Sequence, residues 1–280
     1  MMKWKIVSDS SCDLTAKDIS DDSVEFATVP LKIIVGDSEY VDDENIDVDA
    51  MLSSMEGFKG ASSSACPSPG DFAQQFRSAD FSIAVTMTGK LSGTFNSARC
   101  AKEMVMGESD GKKIHVIDTH ATAGVMVLVI RKLKELIARG LEFEQVVCEI
   151  EKYNDSLRLL CSLSSYDNLI KSGRMPKVVG VLAATLNIRA VTVNTREGEL
   201  KMVSKPRGEL NAIRSMVSLM AKYKDVNGAS VVISHCNNPE AAETLKKMIE
   251  ETYDVNDVTV LKTRGLTSFY AADKGLILCF

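Results

Sequence analysis

Ser92 sits in a turn crowded with groups that hold anions or attack carbonyls. Between an apolar run (Phe81, Ile83, Ala84, Val85) and a helix-compatible stretch, the chain places Thr86, Thr88, Gly89, Lys90, Ser92, Gly93 and Thr94. Residues 81–98 therefore read as strand, hydroxyl-rich turn and helix. The first turn of a helix leaves N–H groups without partners and carries partial positive charge, and small residues let an anion approach the backbone. Taken alone, the pattern fits an ordinary cap by Ser92 or Thr94 at least as well.

Three chemistries use such residues. A nucleotide phosphate loop needs GxxxxGK followed by Ser or Thr, whereas residues 84–91 read AxxxxGKL: Ala84 lies inside the strand and Leu91 cannot ligate magnesium. A serine hydrolase or acyltransferase would use Ser92 as nucleophile and His120 or His235 as base, but the GxSxG elbow is absent. A binding protein would hold a carboxylate with the same hydroxyls and helix-end N–H groups, and a tail in an apolar cavity. Thirteen methionines suit a cavity that adapts to a flexible chain, although ordinary core packing accounts for any single one.

The elements that must position these groups follow from pattern. Residues 4–8 and 114–118 are two further strands that run into polar turns, at 9–11 and 118–122. With the turn at 88–94 they are expected along one rim, because strands alternating with helices imply a parallel sheet whose ligands sit at the strand C-terminal ends. Segments 24–29 and 31–35 are strands split by Pro30, and residues 47–55 form a helix capped by Asp47. Residues 61–72, ASSSACPSPGDF, form a loop stiffened by two prolines; Ser68 caps a helix with Pro69 and Asp71 in its first turn and an end near Arg77. Asp42, Asp43 and Glu44 read as a solvated loop. Helices follow over 124–139 and 143–153.

From about residue 155 the texture changes. Strands are expected at 158–163, 188–193, 199–203, 230–234, 258–263 and 276–280, the second and third as a hairpin around residues 196–198. Helical segments are expected at 166–171, 178–186, 209–222 and 239–251. The fold class is thus α/β in two domains: residues 1–155 with a parallel sheet flanked by helices, and residues 156–280 as an α+β domain on a mixed or antiparallel sheet.

Composition narrows the function. The 280 residues are 45% hydrophobic and 25% charged, as in ordinary globular proteins. A formal charge of -5 with no basic cluster argues against nucleic acid as a partner. The longest apolar stretch, 125–130, is too short to span a membrane and the N-terminus lacks a signal-peptide core, so a cytoplasmic location is expected. Seven scattered cysteines and three histidines lack metal-ligand spacing, so neither a metal nor a disulfide framework is expected.

In order along the chain, the motifs VSDSSCDL (7–14), VPLKI (29–33), SACPSPGDF (64–72), LSGTFNSA (91–98), VIDT (116–119), LIKSGRM (169–175), KPRG (205–208) and ISHCNNPEAAETLK (233–246) resemble the DegV family of bacterial fatty-acid-binding proteins. The resemblance implies one long-chain fatty acid, such as palmitate, between two α/β domains. It also implies a non-enzymatic carrier that presents the carboxylate to a separate ATP-dependent kinase, whose acyl phosphate enters phospholipid synthesis, with no cofactor of its own. Carried over by motif, Ser92 with Gly93 and Thr94 binds the carboxylate, and Ser64 stands where the family usually has threonine. Arg174 and Arg207 match basic residues expected on the kinase-docking face. The chain departs from the family at Cys66, usually glutamine, and near its end, where Tyr270 aligns close to a histidine that normally precedes a Gly-Pro-Gly turn.

Overall fold

The computed structural model describes residues 3–58, 60–109, 111–175 and 187–280. Strands β1 (Trp4–Asp9), β2 (Val24–Val29), β6 (Phe81–Thr86) and β7 (Lys113–Asp118) form an all-parallel sheet in the order β2-β1-β6-β7. Every residue of β6 is buried, as expected of a parallel strand covered on both faces. Thr86 of β6 pairs with Asp118 of β7, and Ser8 of β1 with Val85 of β6, so the three polar turns leave from one rim.

A second, antiparallel sheet joins β3 (Lys32–Val35), β4 (Ser38–Val41) and β5 (Ser63–Ala65) in the order β4-β3-β5. Here the expected loop at 61–72 is corrected: Ser64 is the middle residue of a short strand, paired with Ile33. Three small residues carry no β signal, and the pairing that makes them a strand reaches back some thirty positions in the chain. The rest of the loop reads as expected. Helix α3 (Pro69–Arg77) begins with a capping box in which Ser68 and Asp71 bond each other's backbone N–H, at 3.3 and 2.8 Å. Before it come α1 (Ala16–Ile19), a four-residue helix, and α2 (Val48–Gly57), capped by Asp47 through the Ala50 N–H.

The six-stranded sheet runs β10-β9-β8-β13-β11-β12, from β8 (Leu159–Ser162), β9 (Val191–Asn194), β10 (Leu200–Ser204), β11 (Ser230–His235), β12 (Asp257–Lys262) and β13 (Leu276–Cys279). Only β11 and β12 are parallel neighbours, and the C-terminal strand β13 inserts between β8 and β11. The helix expected over 178–186 lies outside the described residues.

Helix α5 (Gly124–Ala138) stands between the two large sheets, against β1 and β6 on one side and β11 and β13 on the other. Its first seven residues are all buried, which the one-sided pattern of an outer helix would not require. Gly124 permits the approach: a Cβ there would lie 2.9 Å from Val232 Cγ1 and 3.0 Å from Cys279 Sγ. Ile83, Val127, Ile130, Leu159 and Ile277 share this central core. A second core packs the outer face of the six-stranded sheet beneath α8 (Glu209–Tyr223) and α9 (Pro239–Thr252). A third packs α3 and α4 (Thr94–Glu108) on the parallel sheet. Among the described residues the remaining α-helices are α6 (Phe143–Ser156), α7 (Asp167–Lys171) and α10 (Gly265–Ala271). Helix α10 has no counterpart in the sequence reading, because almost every residue in it is buried and no polar face marks its period.

Candidate functional site

The turn after β6 is fixed by carboxylates at the ends of its neighbours. Asp9 ends β1 and accepts the Met87 N–H at 2.8 Å; Asp118 ends β7 and accepts the Gly89 N–H at 3.1 Å and the His120 N–H at 2.9 Å. The chain then turns back at Thr88, whose carbonyl accepts the N–H groups of Leu91 and Ser92. Ser92 Oγ is 2.8 Å from Thr94 Oγ1 and accepts the Thr94 N–H at 3.3 Å, at the first residue of α4. Gly93 precedes the helix and brings no side-chain cap. A Cβ on it would stand 3.1 Å from Cys66 Sγ, so glycine lets this turn close against the 61–72 segment.

From the opposite side comes a pair built by distant segments. Ser64 on β5 and Tyr270 on α10 share a hydrogen bond of 2.9 Å between their hydroxyls, 206 positions apart. The Tyr270 ring packs edge-on against Phe269 at 4.7 Å, and the Arg174 guanidinium lies 5.9 Å from its centroid, at cation–π range. Arg174 also donates from Nε to the Leu91 carbonyl at 2.9 Å, tying the segment after α7 to the Ser92 turn.

These groups meet at a cavity of about 780 Å³, counted to its open mouth, between the rim of the parallel sheet and the six-stranded sheet. Ser64, Ser92, Arg174 and Tyr270 all line it, while most of the remaining wall is apolar, with Leu31, Met87, Leu163 and Ile277 among its side chains. The arrangement offers hydroxyl donors and a guanidinium at one region of a greasy hollow, which suits an amphiphile with an acidic head. Thr94 is wholly buried beneath Ser92, and neither it nor Gly93 is among the residues that line the cavity, so the two shape the turn and do not face the hollow. Arg207 lies elsewhere: it is exposed, pairs through its backbone with Ile188, and is not among the lining residues.

Behind Tyr270 is a set of buried acids that the sequence reading missed. Asp42, expected in a solvated loop, is 1% exposed, and its two oxygens accept the N–H groups of Gly265 and Leu266, both at 2.9 Å. It thereby caps α10, the helix that carries Tyr270, from the far end of β4. Gly265 is the trace of this in the sequence, since a Cβ there would fall 2.5 Å from Asp42 Oδ1. Asp13, in the left-handed region at φ 57°, accepts the Arg264 N–H at 2.8 Å, and its other oxygen is buried without a partner among the described residues. Burial pushes the Asp13 carboxyl up to about 7 and that of Asp9 up to about 6, against the lowering effect of the hydrogen bonds each accepts. Asp42 is raised for the same reason.

Neither histidine is hydrogen-bonded to Ser92 among the described residues. His120 lines the cavity with its Nδ1 unpartnered, whereas His235 is absent from the lining; its Nδ1 accepts the Asn238 N–H at 3.2 Å, and burial lowers its pKa. Among the described residues, no group of three or more His, Cys, Asp or Glu side chains could hold a metal ion, and no helix is long and apolar enough to cross a membrane.

A DegV domain-containing protein of Streptococcus pyogenes serotype M1 is 39% identical over 277 residues, 99% of either chain. The Streptococcus pneumoniae Fatty Acid Kinase (Fak) B3 protein, solved loaded with linoleic acid, superposes with a TM-score of 0.96 at 38% identity, covering 100% of this chain and 99% of its own. A DegV family protein from Eubacterium eligens, loaded with heptadecanoic acid, gives 0.93 at 33% identity, over 99% and 98% of the two chains. The family model described as "Uncharacterised protein, DegV family" matches residues 3–275, and the chain belongs to the DegV family.

Proposed function

We propose that the protein is a carrier for one long-chain fatty acid, with the carboxylate held by Ser64, Ser92 and Tyr270, Ser92 being positioned by Gly93 and by its hydroxyl contact with Thr94, and the acyl chain in the apolar cavity. The observation that carries the reading is the convergence of Ser92 and the Ser64–Tyr270 pair on one largely apolar cavity. Two relatives above 30% identity that hold fatty acids support it. Burying a sixteen-carbon chain at about 0.8 kcal/mol per methylene supplies on the order of 12 kcal/mol before ordering costs. The tail gives affinity; the hydroxyls give orientation and offset the cost of desolvating the anion. In this reading residues 1–155 and 156–280 act as two domains around the acid, Tyr270 stands in for the histidine usual in the family, and the carrier works in the cytoplasm.

The carrier performs no chemistry of its own and presents the exposed carboxylate to an ATP-dependent fatty-acid kinase. Support comes from the likeness to a fatty acid kinase B protein and from two arginines, Arg174 at the cavity and exposed Arg207. Mass spectrometry of an organic extract from the purified protein is the direct test. Finding no fatty acid, and no uptake of added palmitate or oleate, overturns the carrier reading. Arg174→Glu should reduce kinase turnover with the acid still bound; loss of the acid would assign Arg174 to the cavity wall alone. A hydrolase would label covalently at Ser92 with an acyl-serine probe, and a carrier would not.

A further inference from the structure

His120 and Asn194 belong to two cavities at once. Besides lining the acyl cavity they line a second hollow of about 670 Å³, counted to its open mouth, where the turn after β7, the end of α6, the start of β8 and the turn after β9 converge. Its character is opposite. Leu157 is the one apolar residue among its described lining, which otherwise comprises Thr119, Asn154, Asp155, Arg158, Thr195, Arg196 and the two shared side chains.

Two features of this wall favour a polar, anionic ligand. Asn154 is 4% exposed and donates from Nδ2 to the Asp118 carbonyl at 2.9 Å, but its Oδ1 is buried with no partner among the described residues. His120 Nδ1 is likewise buried and unpartnered, 3.7 Å from Asp118 Oδ1 and outside hydrogen-bond range. Leaving such atoms bare costs about 1–3 kcal/mol each, and native proteins normally satisfy them. The second feature is charge. Arg158 spends one nitrogen on the carbonyls of Asp155 and Leu157, and Arg196 stands on the exposed turn; neither guanidinium has a carboxylate within ion-pair distance among the described residues. The acids nearby are Asp155 in the lining, Asp118 beneath His120, and Glu197, which its own backbone N–H, the Thr195 hydroxyl and the cations Lys90 and Arg196 stabilise as the anion.

From these we infer that the hollow is a second ligand site, for a small anion of the phosphate class that also carries a hydroxyl. The two guanidinium groups take the oxyanion in the forked geometry they favour for phosphate. The hydroxyl donates to Asn154 Oδ1, which can only accept. Inorganic hydrogenphosphate and a phosphate monoester share this chemistry. The site is linked to the acyl cavity by the common wall, because Asn194 donates to the His120 carbonyl at 3.1 Å and accepts the Leu159 N–H at 2.8 Å.

Isothermal titration of the lipid-loaded protein with inorganic phosphate and, separately, with glycerol 2-phosphate at constant ionic strength tests the assignment. Saturable binding of at least one is expected; phosphate alone identifies the free ion as ligand, and a tighter monoester identifies the esterified form. Arg196→Gln, on an exposed turn where folding is not at stake, should weaken binding roughly tenfold, as should Arg158→Lys, which keeps charge but loses the fork. No saturable binding of either up to about 10 mM, or binding unaltered in both variants, overturns the inference.

Discussion

Ser92 and Ser64 reach the same cavity by opposite routes. Ser92 is placed by its own neighbourhood: a buried parallel strand ends, two carboxylates on the flanking strands catch the turn, and a helix begins two residues later. Ser64 is placed by partners from far along the chain, Ile33 across a strand pair and Tyr270 through a hydroxyl bond, with Tyr270 itself on a helix capped by Asp42. The first side is a rigid feature of one sheet; the second is an assembly that joins the small sheet to the C-terminal half. A head-group clamp with one jaw local and the other composite should fail differently on each side.

The largest effect is expected on the composite side, away from any ligand. Asp42→Ala leaves the N–H groups of Gly265 and Leu266 buried without acceptors, a cost of roughly 3 kcal/mol in unfolding free energy. Urea denaturation measures it, and a loss below about 1 kcal/mol would show that α10 does not depend on this cap. Ser92→Ala comes next and acts on affinity. Removing a hydrogen bond to a charged group costs about 1.5–3 kcal/mol, so fatty-acid retention should weaken roughly 10- to 100-fold, with a smaller loss of about 1 kcal/mol in stability because buried Thr94 loses its Ser92 partner. Unchanged retention and unchanged kinase-dependent phosphorylation would reject the role of Ser92. Tyr270→Phe should do less, about 1 kcal/mol, since the hydroxyl it removes is shared with Ser64, whose own hydroxyl is then released to donate to the carboxylate in its place. If Tyr270→Phe weakens binding more than Ser92→Ala, the order of the two jaws is reversed.

The same division governs what the sequence could disclose. The strand, turn and helix at 81–98, the cap at Ser68 and the rim of polar turns are short-range features, each written in residues within a few positions of one another, and each is found where its pattern puts it. Long-range features were not legible. Nothing in SSS at 62–64 predicts a strand edge against Ile33, and nothing in DDE at 42–44 distinguishes a solvated loop from a buried helix cap, because the deciding partner lies more than 220 residues away. The motif resemblance brought Ser64, Tyr270 and Arg174 into view, yet their contacts with one another appear only in the fold. Arg174, matched by its motif to a docking face, also bonds the Leu91 carbonyl beside the cavity, a contact that no local pattern shows. The sequence offers His120 only as a candidate base, and its place in two cavity walls has no local signature.

The last prediction concerns pH and again distinguishes the two sides. In the folded protein burial raises Asp13 to about 7, well above the value near 4 of an unfolded aspartate, so between these limits the folded state binds more protons. Its contribution to stability is therefore fully present below about pH 4 and is lost as pH rises through about 7. Other acids shift the opposite way, Asp21 and Glu25 among them, lowered by lysine partners, so the total curve does not isolate it. A difference experiment does. An asparagine in place of Asp13 would still accept the Arg264 N–H and tolerates the left-handed backbone at φ 57°, but cannot ionise. The stability of Asp13→Asn relative to the natural protein should accordingly improve from pH 5 to pH 8 in paired urea titrations. A difference that stays flat, or falls, would mean that the carboxyl behind α10 is already ionised at pH 5, with its second oxygen solvated rather than buried bare.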